Sequence, residues 1–192
     1  MGKNIRTTFT LLEIQIALLS KAVRSIQLGA NPTRGREEVC WKKLKEYNLY
    51  HQFLLGMHKK LNKVFSEFFI CQYFLTIGGT CLPIFVIFNK SSSFAQIAES
   101  VLYLNVNVLF IITFIPAGEI EIEADTLTSE IYNIDWYNAK DLKISKFVLF
   151  WLTQAQIPVQ MSGAGIVKVN RPVMLQIQRI GYSITTVLTG LK

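Results

Sequence analysis

An all-α integral membrane helical bundle is the fold class this 192-residue sequence predicts, and three observations carry it. Charged residues make up 17% of the chain and mean hydropathy is +0.32, against about a quarter charged in ordinary soluble domains. Twelve of the 20 Lys and Arg residues fall in the first 63 positions, and none lies between 64 and 88. Apolar stretches long enough to cross ~30 Å of hydrocarbon follow that basic block. The net charge of +7 is therefore read as a positive-inside bias. A nucleic-acid face would interleave its bases with aromatic residues across one folded surface, so nucleic acid is not an expected partner. Disorder is excluded by the apolar content.

The elements follow in chain order. Residues 8–26 read as a helix with Leu11, Leu12, Ile14, Ile16, Leu18 and Leu19, too short and interrupted to span. Asn31-Pro32-Thr33-Arg34-Gly35 reads as a loop. From 39 to 63 a second helical pattern runs through Leu44, Tyr47, Leu54, Leu55, Met57 and Leu61, with Lys43, Lys45, Lys59, Lys60 and Lys63 on its polar face. It leads without a break signal into 64–88, which is 25 residues or about 37 Å of helix, a transmembrane length. Glu67 is the only full charge there. Asn89-Lys90-Ser91-Ser92-Ser93 is a polar turn whose Asn89 heads an Asn-x-Ser glycosylation sequon. Residues 94–116 form a second span carrying Glu99, Asn105 and Asn107; polar groups at that depth should face protein or water.

The basic flank places residues 34–63 in the cytoplasm, so the first span runs outward, 89–93 is extracellular, and the second span returns. Past Pro116 the chain turns acidic, with Glu119, Glu121, Glu123, Asp125 and Glu130. A cytoplasmic amphipathic helix is expected through Ile131, Tyr132, Ile134, Trp136 and Tyr137. Residues 140–156 continue helically but are too short in apolar length to span. Ser162-Gly163-Ala164-Gly165 breaks the helix. The last segment, 170–191, is 22 residues or about 33 Å. It holds Arg179, Gln176, Gln178, Tyr182, Ser183, Thr185, Thr186 and Thr189, a set that lipid on all sides would not tolerate. On that physics it is pore-lining or buried in a bundle.

Other chemistry is sparse. Three cysteines show no CxxC or Cys/His spacing, so neither a zinc site nor a disulfide framework is implied. Cys71 and Cys81, inside an apolar segment, read as small buried hydrophobes. His51 and His58 are seven apart on one helical face without carboxylate or cysteine partners, which favours structural hydrogen bonding over metal. No metal, cofactor or catalytic constellation is expected. The start Met1-Gly-Lys-Asn-Ile-Arg lacks the apolar core of a signal peptide, and Arg6 stands where myristoylation needs Ser or Thr.

Four pieces, in this order and spacing, resemble the C-terminal half of an insect odorant receptor. They are Tyr50-His51-Gln52-Phe53-Leu54 ahead of Leu61-Asn62-Lys63-Val64-Phe65-Ser66; Ile131-Tyr132-Asn133-Ile134-Asp135-Trp136-Tyr137; Thr153-Gln154-Ala155-Gln156-Ile157-Pro158 followed by Ser162-Gly163-Ala164-Gly165; and the ending 178–188 with Gln178-Arg179-Ile180-Gly181-Tyr182-Ser183. The likeness covers roughly residues 10–192. It implies a subunit of an odorant-gated, non-selective cation channel in the plasma membrane of olfactory sensory neurons. Its partners would be a co-receptor subunit in a hetero-tetramer and a volatile odorant, with the C-terminus extracellular.

The resemblance also implies site roles and a domain layout. Residues 1–33 would be the end of the family's fourth helix and a cytoplasmic loop. Residues 117–165 would be cytoplasmic anchor helices, with subunit contact through Tyr132, Asp135, Trp136 and Tyr137. Residues 170–191 would line the pore, with Val187 and Leu191 as gate and Ser183, Ile184, Thr186 and Gly190 beside them. The i, i+4 spacing of Val187 and Leu191 continues a stripe with Ile180 and Ile184; four such rings could close a pore by dewetting. Tyr103 and Asn107 are candidate odorant contacts. Family members carry seven spans, so this chain would correspond to the end of the fourth onward. It would then be a truncated product, or one needing a partner chain to complete the pocket. A non-conducting assembly partner and a gustatory-type receptor are the alternatives.

Overall fold

The computed structural model describes residues 2–26, 33–88 and 93–190. These residues form α1 (Gly2–Arg24), α2 (Arg34–Phe88), α3 (Ser93–Tyr132), α4 (Leu142–Ala155) and α5 (Arg171–Gly190). A 3₁₀ turn lies at Trp136–Asn138, and two short antiparallel strands, β1 (Ser162–Gly163) and β2 (Val167–Lys168), pair Ser162 with Lys168 and Gly163 with Val167. The architecture is all-α, as composition and periodicity predict.

Two long helices depart from the piecewise reading. Helix α2 starts at Arg34, so Arg34 and Gly35 belong to its first turn rather than to a loop; the Thr33 carbonyl accepts from the amides of Arg36 and Glu37. Helix α3 runs through Pro116 without a break. A proline removes one backbone bond but does not end a helix whose other turns are packed.

The chain divides into two compact units. One comprises residues 8–61 and 119–160, the other 1–7, 62–118 and 161–192. The first has the packing logic of a water-soluble bundle. Its buried positions include Phe9, Leu12, Ile16, Leu19 and Val23 on α1, Leu44, Asn48, His51, Leu54 and His58 on α2, Ile120, Ala124, Leu127 and Ile131 on α3, and Ile144, Val148, Trp151 and Ala155 on α4. Steps of three and four place each set on one stripe of its helix.

The other unit combines an apolar core with buried hydroxyl and amide side chains and an outward apolar surface. Gln72, Thr76, Thr80 and Thr113 are buried, beside an aromatic cluster of Phe69, Phe110 and Phe114, while Phe74, Leu75, Phe94, Ile97, Val101, Leu104, Val108 and Ile111 point outward. The buried threonines satisfy themselves on their own helices: Thr76 Oγ1 donates to the Gln72 carbonyl at 2.8 Å and Thr113 Oγ1 to the Leu109 carbonyl at 3.0 Å. Small and hydroxyl residues inside with apolar residues outside is the arrangement a bilayer selects. Among the described residues one stretch, Ser100–Asn138, made chiefly of α3, is long and apolar enough to cross a membrane, with mean hydropathy 1.9 over its most apolar window. Only 33% of that window is buried, where the core helix of a soluble protein would be mostly covered.

Three local expectations are corrected. The helix expected through Tyr137 ends at Tyr132, and α4 begins only at Leu142, because the backbone between them closes into short turns, the Trp136 amide on the Ile134 carbonyl and the Asn138 amide on the Asp135 carbonyl. Asp141 caps α4 by accepting from the Lys143 amide. The break expected at Ser162-Gly163-Ala164-Gly165 is present and takes the form of a hairpin, with left-handed backbone at Ala164 and Gly165. Cys71 is exposed rather than buried; it shares the outward apolar surface, where a thiol is tolerated as a small hydrophobe. Asn105 is likewise exposed, and its amide donates to the Val101 carbonyl at 2.8 Å, so its own helix supplies the partner expected from protein or water. The side chains of Cys81 and Glu99, and residue Asn89, lie outside the described residues.

Candidate functional site

The hairpin sets the start of α5. Asn62 on α2 accepts from the Ser162 amide at 2.8 Å, and Ser66, one turn on, accepts from the Ala164 amide at 2.7 Å. Asn170 then caps α5, its side chain accepting from the Val173 amide at 3.1 Å. Pro172 sits in the first turn, where its missing N–H costs nothing. Two sequence pieces a hundred residues apart, 61–66 and 162–165, thus meet through backbone-directed hydrogen bonds. The short polar side chains at 62 and 66 were the only signal of that junction.

Helix α5 buries little of itself. Ile177 and Gly181 are buried, with Val173, Met174 and Gln178 half-buried. Ser183, Ile184, Thr186, Val187 and Gly190 are all exposed. At about 100° per residue, Ser183 and Gly190 fall nearly opposite the Ile177–Gly181 stripe, with Val187 and Thr186 on either side of them. Ile184 borders the buried stripe. Of the residues predicted to line a pore, Ser183, Thr186, Val187 and Gly190 therefore cluster on the face this unit leaves uncovered, and Ile184 does not. Leu191, the second gate position, lies outside the described residues. Arg179 is exposed on the same side.

Two close approaches and one hydrogen bond tie α5 to its neighbours. A Cβ at Gly181 would lie 2.2 Å from Thr80 Oγ1, and one at Gly79 would lie 3.1 Å from a Val106 methyl. Glycine is required at Gly181 for α5 to touch α2, and at Gly79 it lets α2 approach α3. The side chain of Gln178 donates to Asn107 Oδ1 on α3, while Asn107 Nδ2 donates to the Tyr103 carbonyl at 2.8 Å. Asn107, named from the sequence as an odorant contact, thus has both ends of its amide engaged within the protein. Tyr103 is half-buried. Gln178 was legible only as a polar residue at membrane depth, not as this partner.

In the other unit, the residues predicted to anchor subunits surround the 3₁₀ turn. Tyr132 and Tyr137 are exposed, Asp135 and Trp136 half-buried. The Tyr137 hydroxyl donates to Asp135 Oδ1 at 3.0 Å, and that acceptor together with its charge raises the phenol pKa. Ser145 Oγ donates to the Trp136 carbonyl at 2.9 Å, holding the turn against α4. The histidines lie deeper. Trp151 Nε1–H donates to His51 Nδ1 at 3.0 Å, a structural hydrogen bond that leaves the proton on Nε2. Burial lowers the His51 pKa to about 4, and burial followed by the Lys59 charge lowers that of His58. No group of three or more metal-ligating side chains occurs among the described residues.

Comparison with known proteins places this arrangement. A family model described as 7tm Odorant receptor matches residues 5–182. The chain is 27% identical over 138 residues to Odorant receptor 88a of Drosophila melanogaster, covering 71% of this chain and 34% of that protein. It resembles the solved insect olfactory receptor OR5 from Machilis hrabei at TM-score 0.64 and 18% identity, covering 78% of this chain and 39% of that one; at that identity the likeness is one of fold. The chain spans between a third and two fifths of the length of these two proteins.

Proposed function

The chain belongs to the 7tm Odorant receptor family, a family of membrane receptors, and from that premise we propose that it serves as an olfactory receptor subunit whose α5 lines an odorant-gated cation path. The observation that carries this reading is α5 itself. It is amphipathic at membrane depth, held by one narrow stripe, and its exposed face bears Ser183, Thr186, Val187 and Gly190. In a tetramer with the co-receptor, this face would present hydroxyls and small residues to ions, with Val187 and Leu191 contributing to the apolar constriction. Arg179, about 12 Å from Val187 along the helix, would sit in a wider inner mouth, where its charge opposes cations less. The partners are a co-receptor subunit in a hetero-tetramer and a volatile odorant. Subunit contact runs through Tyr132, Asp135, Trp136 and Tyr137. The site is plasma-membrane, in olfactory sensory neurons, with the C-terminus outside.

A second reading, a non-conducting assembly partner, is favoured by one observation: the unit of residues 8–61 and 119–160 has its own complete apolar core and could dock without a working pore. Co-expression with the co-receptor and recording under an odorant panel separates the two. The expected result is an odorant-evoked cation current that Val187→Ala makes leaky at rest. Co-purification and surface delivery without evoked current would replace the channel reading with the assembly reading.

A further inference from the structure

The three contacts around α5 close into a ring. Val106 on α3 packs against Gly79 on α2; the next α2 residue, Thr80, packs against Gly181 on α5; and Gln178, almost one turn before Gly181, donates to Asn107, the residue after Val106. Two links of this ring are close approaches of a glycine to the side chain of a neighbouring helix, Val106 at Gly79 and Thr80 at Gly181. The third is a single side-chain hydrogen bond, and it can be made or broken by a rotamer change. From this arrangement we infer that the Asn107–Gln178 hydrogen bond is a releasable latch that sets the position of α5, with Asn107 and Gln178 as positioning residues for gating. The inference rests on the pore-lining reading of α5 given above.

The direction of its effect follows from geometry. Ile177, Gln178 and Gly181 lie on the side of α5 away from Ser183 and Gly190. Tension through the latch therefore draws α5 toward its own α2 and α3 and away from any axis that its exposed face surrounds. A made latch favours a wider path; a broken one lets α5 settle inward. Among its described residues α5 buries Ile177 and Gly181 and half-buries Val173, Met174 and Gln178, all at or before Gly181, so its outer end is the part left uncovered. Asn107 is also fixed at its other end, since its Nδ2 is held by the Tyr103 carbonyl of its own helix. A displacement of α3 that carries Asn107 with it is thereby passed to Gln178 rather than absorbed by side-chain rotation.

The test compares odorant concentration–response curves, normalised to surface density, for the wild-type chain with its co-receptor and for Asn107→Leu, Gln178→Leu, the double variant, and the exchanged pair Asn107→Gln with Gln178→Asn. Each single variant is expected to raise the half-activating concentration about three- to tenfold, the range of one interhelical hydrogen bond in a membrane. The double variant should match the singles rather than sum them, because one bond is broken once. The exchanged pair should recover most of the wild-type response. Unshifted midpoints in the single variants, or shifts that add in the double variant, overturn the latch while leaving the channel reading intact. A wild type that reaches the surface and stays silent overturns the channel reading, and the latch with it. A purely structural role would lower surface density without moving the midpoint, and that outcome counts against the inference.

Discussion

His51 shows what burial does to a single titratable group. Its Nδ1 accepts from Trp151 at 3.0 Å, and desolvation holds its pKa at about 4, well below the roughly 6.5 of an exposed imidazole. The sign follows from proton counting. Between about pH 6.5 and pH 4 the unfolded chain binds a proton at His51 that the folded chain does not, so stability falls as pH drops through that window and is fully present above it. The loss is bounded at roughly 3 kcal/mol for a shift of this size. Melting curves of the purified protein in detergent should therefore lose stability between about pH 7 and pH 5, with His58 adding in the same direction. His51→Gln keeps an acceptor for the Trp151 indole but does not titrate, and its melts should be visibly flatter across that range. Equal slopes for variant and wild type would remove His51 as the cause.

At the scale of elements, helix contacts in the apolar unit depend on the absence of side-chain atoms. Water provides no drive to associate helices inside a bilayer, so close approach and polar pairing must do it. Gly181→Ala places a methyl 2.2 Å from Thr80 Oγ1 and forces α5 off α2, at a cost of about 1–3 kcal/mol for overpacking. Thermal stability in detergent should fall accordingly. Thr80→Ala should recover part of the loss in the Gly181→Ala background, though not all, since the new Cβ would still lie 3.0 Å from the Thr80 Cβ. A double variant no more stable than Gly181→Ala would mean that Thr80 is not the obstructing neighbour. The connection from α3 to α4 obeys a different rule. There the backbone closes into short turns, the Trp136 amide on the Ile134 carbonyl and the Asn138 amide on the Asp135 carbonyl, and Asp141 caps the next helix, so the apolar periodicity through Ile131, Ile134 and Tyr137 does not carry α3 onward.

Across the whole molecule, the boundary between the two units falls where the basic run of α2 gives way to apolar sequence. Lys59, Lys60 and Lys63 precede the apolar stretch, and the orientation proposed above follows the positive-inside rule in putting them on the cytoplasmic side. On that orientation an epitope after Lys192 should be labelled on intact cells, while one before Met1 should require permeabilisation. The sequon at Asn89 should carry a glycan that peptide-N-glycosidase removes and Asn89→Gln abolishes. A C-terminal epitope reached only after permeabilisation would reverse the orientation.

Much of this was readable before any coordinates. Composition, the basic block and the 3.6-residue apolar period specify an all-α membrane chain, because helices in lipid must satisfy their backbone internally and their apolar length is written directly in the residues. The odorant-receptor resemblance was legible from 50–54, 61–66, 131–137 and 178–188, pieces whose identities and order are local facts. Tertiary structure alone decided who meets whom. That Asn62 holds Ser162, that Trp151 bonds His51, that Asn107 is paired with Gln178, and that Gly181 lies against Thr80 are contacts across some 70 to 100 residues. No periodicity encodes them, since a polar or small residue at membrane depth announces only that it needs a partner or a close neighbour. Which one it finds depends on how the helices cross.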